Sequence, residues 1–150
     1  MKHYSVSKCN KKFEKIRSTQ QVIALKEPSI MWIKKKYGNA FIKAYIALWI
    51  VHLSDFLNLG KSLNDVQVKE ISRLIANNFQ GLSIAEIYLI INNIKMGYYG
   101  KLYDRLDGSM IMIWFNQYLD ERCNLFEQLS IQESNIYRGQ WNFNINNIKR

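Results

Sequence analysis

The stretch G-L-S-I-A-E-I-Y-L-I-I-N-N-I-K-M-G, residues 81–97, decides the fold class. Ser83 with Glu86 three places on is a capping box, in which each side chain satisfies a backbone N–H at a helix start. Ile84, Ile87, Tyr88, Ile91 and Ile94 then recur at helical spacing, and Gly97 supplies the stop. Leu89 and Ile90 fall off that stripe, so the spacing predicts a helix buried on two sides. The segment before it repeats the pattern: Asn64 with Gln67 is a second capping box, and Val68, Ile71, Leu74, Ile75 and Phe79 form an amphipathic stripe.

Outward from this pair the chain keeps a helical character. It holds one proline, Pro28, and is rich in Leu, Ile, Lys and Glu without the alternation that strands require. A first helix is predicted over 11–27, with Phe13, Ile16 and Ile23 near one face, and it should stop near Lys26 because Pro28 disfavours the helical conformation before it. A short helix over 29–37 ends at Gly38. Asn39 is the expected N-cap of a long apolar helix through Asn58, with Gly60 as its stop. A last helix is expected over 109–133, carrying Ile111, Trp114, Phe115, Tyr118, Leu125, Phe126 and Leu129. Residues 134–150 are Asn-rich and show no period, which predicts a mobile tail. The expected architecture is all-α: a single helical domain of about five helices, with a basic N-terminal helical segment (1–43), an apolar helical body (44–133) and a flexible tail (134–150).

With 150 residues, folding can remove roughly 70% of the unfolded surface from water, enough for a core without metal or disulfide. Two cysteines, Cys9 and Cys123, are too few for a disulfide framework or a zinc site, which favours a reducing, cytoplasmic setting. No apolar h-region with a cleavage site opens the chain, so no signal peptide is expected. The apolar run 40–57 contains Lys43, His52 and Asp55 and reads as a buried core helix, with no membrane partner.

Charge is distributed unevenly. Residues 1–43 hold eleven Lys/Arg and two Glu, which accounts for the whole net charge of +9. Such asymmetry points to a polyanionic partner or surface. Lys8, Lys11, Lys12 and Lys15 are spaced i, i+3, i+4, i+7, so one helix would present four ammonium groups along one face to a phosphate backbone. Lys34, Lys35 and Lys36, flanked by Trp32 and Tyr37, form a second cluster whose aromatic planes could stack on unpaired bases of DNA or RNA. A solvated, solubilising helix face and an anionic membrane surface are the other readings of the same lysines.

The segment G-Y-Y-G-K-L-Y-D-R-L-D-G, residues 97–108, is the most distinctive local pattern. It is not a P-loop, because two residues separate its glycines and Leu102 follows Lys101. Its G-x-x-G would need a sheet to be a KH-type loop. As a connector, Gly97 ends one helix, Gly100 permits a turn and Asp107 caps the next helix. As a partner-binding loop it would offer Tyr98, Tyr99, Lys101, Tyr103, Asp104 and Arg105. The helix pair over 65–96 has the outline of a helix-turn-helix, but its second helix is mainly Ile, Leu and Tyr and lacks the polar face that reads base edges.

Catalytic residues are not identified. His52 reads as a satisfied, half-buried histidine and Cys123 as a small core residue, and no oxyanion donors accompany them. Asp120 and Glu121 are adjacent and diverge by about 100° on a helix. No metal and no cofactor are expected.

The segments L-S-D-F-L-N-L-G-K-S-L, L-S-I-A-E-I, Y-G-K-L-Y-D-R-L-D-G and I-W-F-N-Q-Y-L-D-E-R-C-N-L-F-E resemble a family of small helical proteins carried by phages and mobile elements of Bacteroidetes-type bacteria. The resemblance spans about residues 54–133, and that family brings no activity with it. Its layout is similar to helical phage accessory proteins that load or restrain a replicative helicase. The resemblance implies a non-enzymatic accessory protein of a phage or mobile element, acting in DNA replication with a protein partner such as that helicase. An inhibitor of a host enzyme or defence system, and a genome-associated virion component, are the alternatives.

Overall fold

A computed structural model describes residues 4–60, 62–100 and 106–148. Among them are seven helices: α1 (Val6–Lys12), α2 (Thr19–Ala24), α3 (Ile30–Tyr37), α4 (Asn39–Leu57), α5 (Asp65–Asn78), α6 (Ile84–Lys95) and α7 (Gly108–Ile148). The fold is all-α, with more helices than the five expected. The chain divides into two compact units, Met1–Gln117 and Tyr118–Arg150, so α7 contributes its start to the first and its remainder to the second.

Helix α6 is the core element of the first unit. Both halves of its capping box form: the Ser83 side chain accepts from the Glu86 N–H at 3.3 Å, and Glu86 Oε2 accepts from the Ser83 N–H at 2.7 Å. Ten of its twelve residues are buried, including Leu89 and Ile90, as the off-stripe positions predict. Gly97, at φ +74°, ends it with a pair of reversed bonds, from the Tyr98 N–H to the Asn93 carbonyl at 2.9 Å and from the Gly97 N–H to the Ile94 carbonyl at 3.0 Å.

The same helix start is tied to α3 through the backbone. Ser29 and Ser83 form an isolated bridge. The Ile30 N–H donates to the Leu82 carbonyl at 2.8 Å, and the Ile84 N–H donates to the Pro28 carbonyl at 3.0 Å. These bonds satisfy N–H groups that any helix N-terminus leaves without an internal acceptor. Ile30 and Ile33 are fully buried beneath them.

Helix α4 packs against α5, α3, α6 and α1. Ile42, Tyr45, Ile46, Trp49, Ile50 and Leu53 are buried, whereas Leu48 and Val51 are exposed. By length and composition alone it could cross a membrane, and a third of its most apolar window is buried. The expected core helix is therefore buried along one face only. Composition could not show this, because α4 is apolar around most of its circumference.

Four other expectations change. The single helix over 11–27 is two short ones: α1 stops at Lys12, Phe13 is buried as its C-cap, and Ser18 opens α2 with a capping box to Gln21. The Arg17 guanidinium takes up the carbonyls of Glu14 and Ile16 in the break between them. Asn39 is the first residue of α4, not its cap. Gly38 is the sole link from α3, at φ +90°, and leaves no room for a capping residue after it. Asn58, left-handed at φ +43°, ends α4 ahead of Gly60. Residues 134–148, expected as a mobile tail beyond a helix ending at 133, continue α7. No proline interrupts them, and a lone Gly139 costs only about 1 kcal/mol relative to alanine.

Two stability measurements follow from this packing. Replacing Ile90, fully buried in α6, by Ala should cost about 2–5 kcal/mol in urea unfolding, whereas Leu48→Ala on the open face of α4 should cost far less; equal losses would contradict the burial pattern. Asp107 Oδ1 accepts from the Met110 N–H at 3.0 Å at the start of α7. Asp107→Ala should therefore lose about 0.5–2 kcal/mol and Asp107→Asn much less.

Candidate nucleic-acid interface

The basic N-terminal segment contributes two separate surfaces. On α1, Ser5 caps the helix and Cys9 is its buried residue, which turns Lys8 and Lys11 outward. Tyr4, Lys8, Lys11 and Lys12 line an open depression of about 540 Å³. The expected four-lysine face is incomplete, however. Lys15 lies in the turn after α1, because the helix ends one residue before the buried Phe13. Lys12 is already engaged: its Nζ donates to Glu27 Oε1 at 2.6 Å and sits over the Tyr4 and Phe13 rings. Glu27 also accepts from the Tyr4 hydroxyl at 2.9 Å. The hydrogen bond to Glu27 raises the Lys12 pKa, while burial and then Glu27 raise that of Tyr4. Of the four, Lys8 and Lys11 remain on the helix face, while Lys15 is exposed in the turn beyond it.

The second surface is more complete. Ser29 caps α3 by accepting from the Trp32 N–H at 3.2 Å, and Ile30 and Ile33 face the core. Lys34, Lys35 and Lys36 form the last turn, where positive charge complements the negative end of the helix dipole. Trp32 and Tyr37 are 47% and 41% exposed. Lys36 Nζ lies 4.6 Å from the Trp32 ring centre and 5.5 Å from that of Tyr37. Phe41, one turn into α4, extends the cluster, 5.2 Å from Tyr37. Residues 28–54 contain four lysines and no carboxylate. Sequence reasoning identified all of this cluster except Phe41, which a register running across Gly38 would have found.

Of the loop residues, Tyr98 is exposed and packs edge-on against Tyr99 at 5.1 Å. Lys101, Tyr103, Asp104 and Arg105 lie outside the described residues.

The groups with potential chemistry lie in different surroundings. Cys9 is buried 3.7 Å from the Tyr45 hydroxyl, and burial pushes its thiol pKa up, so it stays protonated at neutral pH. Cys123, expected in the core, is exposed. It follows Tyr118 by five residues, which places it about 140° around the helix from the buried Trp114–Tyr118 stripe. Among the described residues no three His, Cys, Asp or Glu side chains converge as a metal site. His52 is half-buried, as expected, with Lys95 Nζ 2.7 Å from its Nε2. The ammonium has only donors, so the imidazole accepts and is neutral in this pair. Burial, then the Lys95 charge, lowers the His52 pKa against an opposing pull from Asp55, and burial lowers that of Lys95.

Because folding lowers the His52 pKa, the unfolded chain takes up that proton more readily. Stability from this site should be intact above about pH 6.5 and should fall as pH drops toward the folded value. The urea midpoint of the parent should decline from pH 8 to pH 5.5 more steeply than that of His52→Gln; identical profiles would remove the pair from the acid response.

No protein-family model, no curated protein and no solved structure matches the chain.

Proposed function

We propose that the protein is a non-enzymatic nucleic-acid-binding accessory factor of a phage or mobile element, working in DNA replication beside a protein partner such as a replicative helicase. The observation that carries the nucleic-acid part is the end of α3: Lys34, Lys35 and Lys36 on its last turn, with exposed Trp32 and Tyr37 against Lys36, inside a run of 27 residues without a carboxylate. Phosphate contacts of this kind release counterions and give affinity without sequence preference. The phage setting and the helicase come from the resemblance of residues 54–133.

A second reading, inhibition of a host enzyme or defence protein, is favoured by the open apolar face of α4, where Leu48, Val51 and Phe56 are exposed. The two readings separate on salt. If about five side chains meet phosphates on duplex DNA, affinity should fall a few hundred-fold between 50 and 200 mM salt. Lys34→Gln with Lys35→Gln and Lys36→Gln should weaken every sequence alike and flatten the salt slope, whereas Lys69→Gln with Arg73→Gln should leave binding unchanged. If no DNA or RNA binds at 50 mM salt, the inhibitor reading takes its place.

A further inference from the structure

We propose that the three-ring cluster of Trp32, Tyr37 and Phe41 holds unpaired bases, so that the protein prefers single-stranded DNA or RNA to duplex. This site presupposes the nucleic-acid reading above and adds to it the strandedness of the ligand.

The rings form a continuous line across the junction of α3 and α4. Their centres are 6.5 Å apart from Trp32 to Tyr37 and 5.2 Å apart from Tyr37 to Phe41. Their planes meet at 67° and 38°, so no base slides between them as between parallel plates. The exposed outer faces of Trp32 and Tyr37 are what a base can reach, and every base has a π face to lay against them, whatever the sequence. Lys36 sits above these rings on a flexible stem and can pass from ring to phosphate as a strand arrives. Lys35 is exposed about 100° around the helix from Lys36, and Lys34 is half-buried a further 100° on, so Lys36 is the lysine that borders the rings.

Charge complementarity chooses the occupant. A purely apolar partner would meet the lysines of the last α3 turn, and an acidic peptide would use those lysines but leave the rings without a planar counterpart. A duplex offers phosphates while its bases stay stacked within it. Only an unpaired strand supplies phosphate and base face together. The junction also favours a fixed geometry. Gly38 alone joins the two helices, at φ +90°, and the start of α3 is bonded to Leu82 through Ile30. Tyr37 and Phe41 are therefore held one turn apart in advance of binding.

The test is fluorescence anisotropy of the full chain at 100 mM salt with dT20, U20, a 20-base-pair duplex and polyglutamate. Trp32→Ala with Tyr37→Ala should weaken dT20 and U20 by about ten-fold or more while leaving the duplex unchanged. Trp32→Phe, which keeps a ring, should retain most of the affinity. Circular dichroism of each variant should match the parent, and the urea midpoint of the double variant should fall only modestly, because each ring is more than half covered and part of that cover is ring contact. The tighter of dT20 and U20 identifies the natural strand. Equal affinity of the parent for single strand and duplex, or equal weakening of both by the double variant, would overturn the proposal while leaving nucleic-acid binding in place. Polyglutamate binding as tight as dT20 would overturn it in favour of an acidic protein partner. Failure to bind any nucleic acid would remove both readings.

Discussion

Helix α6 can be almost entirely apolar only because its polar backbone ends are satisfied before they are buried. Its N-terminus is closed by the Ser83–Glu86 box and by exchange with the Pro28–Ile30 segment, and its C-terminus by the left-handed Gly97. An uncapped amide in that position would forfeit about 1–3 kcal/mol, a large part of the stability a domain of this size commands. Ile84 through Ile91 then contribute apolar area on every side. The same bonds also fix where α3 begins, and so which of its faces turns to solvent.

Much of this was legible. The two capping boxes and the off-stripe Leu89 and Ile90 predicted the position and burial of α6, and the stop at Gly97 followed from its type. Ser18 and Gln21 carried the same signal, yet Phe13, Ile16 and Ile23 suggested one helix across the break. Three apolar residues over eleven positions are weak evidence for a continuous helix, and of these only Phe13 is buried. The one-sided burial of α4 was not legible, because a helix apolar on most faces does not reveal which face finds neighbours. In the candidate site, residue types were readable but engagement was not: Lys12 is distinguished from Lys8 only by Glu27, fifteen residues away.

Lysine thus serves three separate ends here. Lys12 ties the N-terminal arm to Glu27, Lys95 ties α6 to His52 on α4, and Lys34 to Lys36 complete a helix terminus while staying open to a polyanion. The first two are partly shielded and linked to particular partners, so their removal would register as stability. Net charge alone gives all of them equal weight, and the fold does not.

The two cysteines differ in access. Cys9 is buried on the inner side of α1, where burial raises its thiol pKa, whereas Cys123 lies open on α7. A thiol-directed dye should therefore mark the native chain once, at Cys123, and twice only after α1 detaches. The second label becomes a clock for opening of the N-terminal arm, readable by mass without any engineered probe, and the first gives a single attachment point in the second unit.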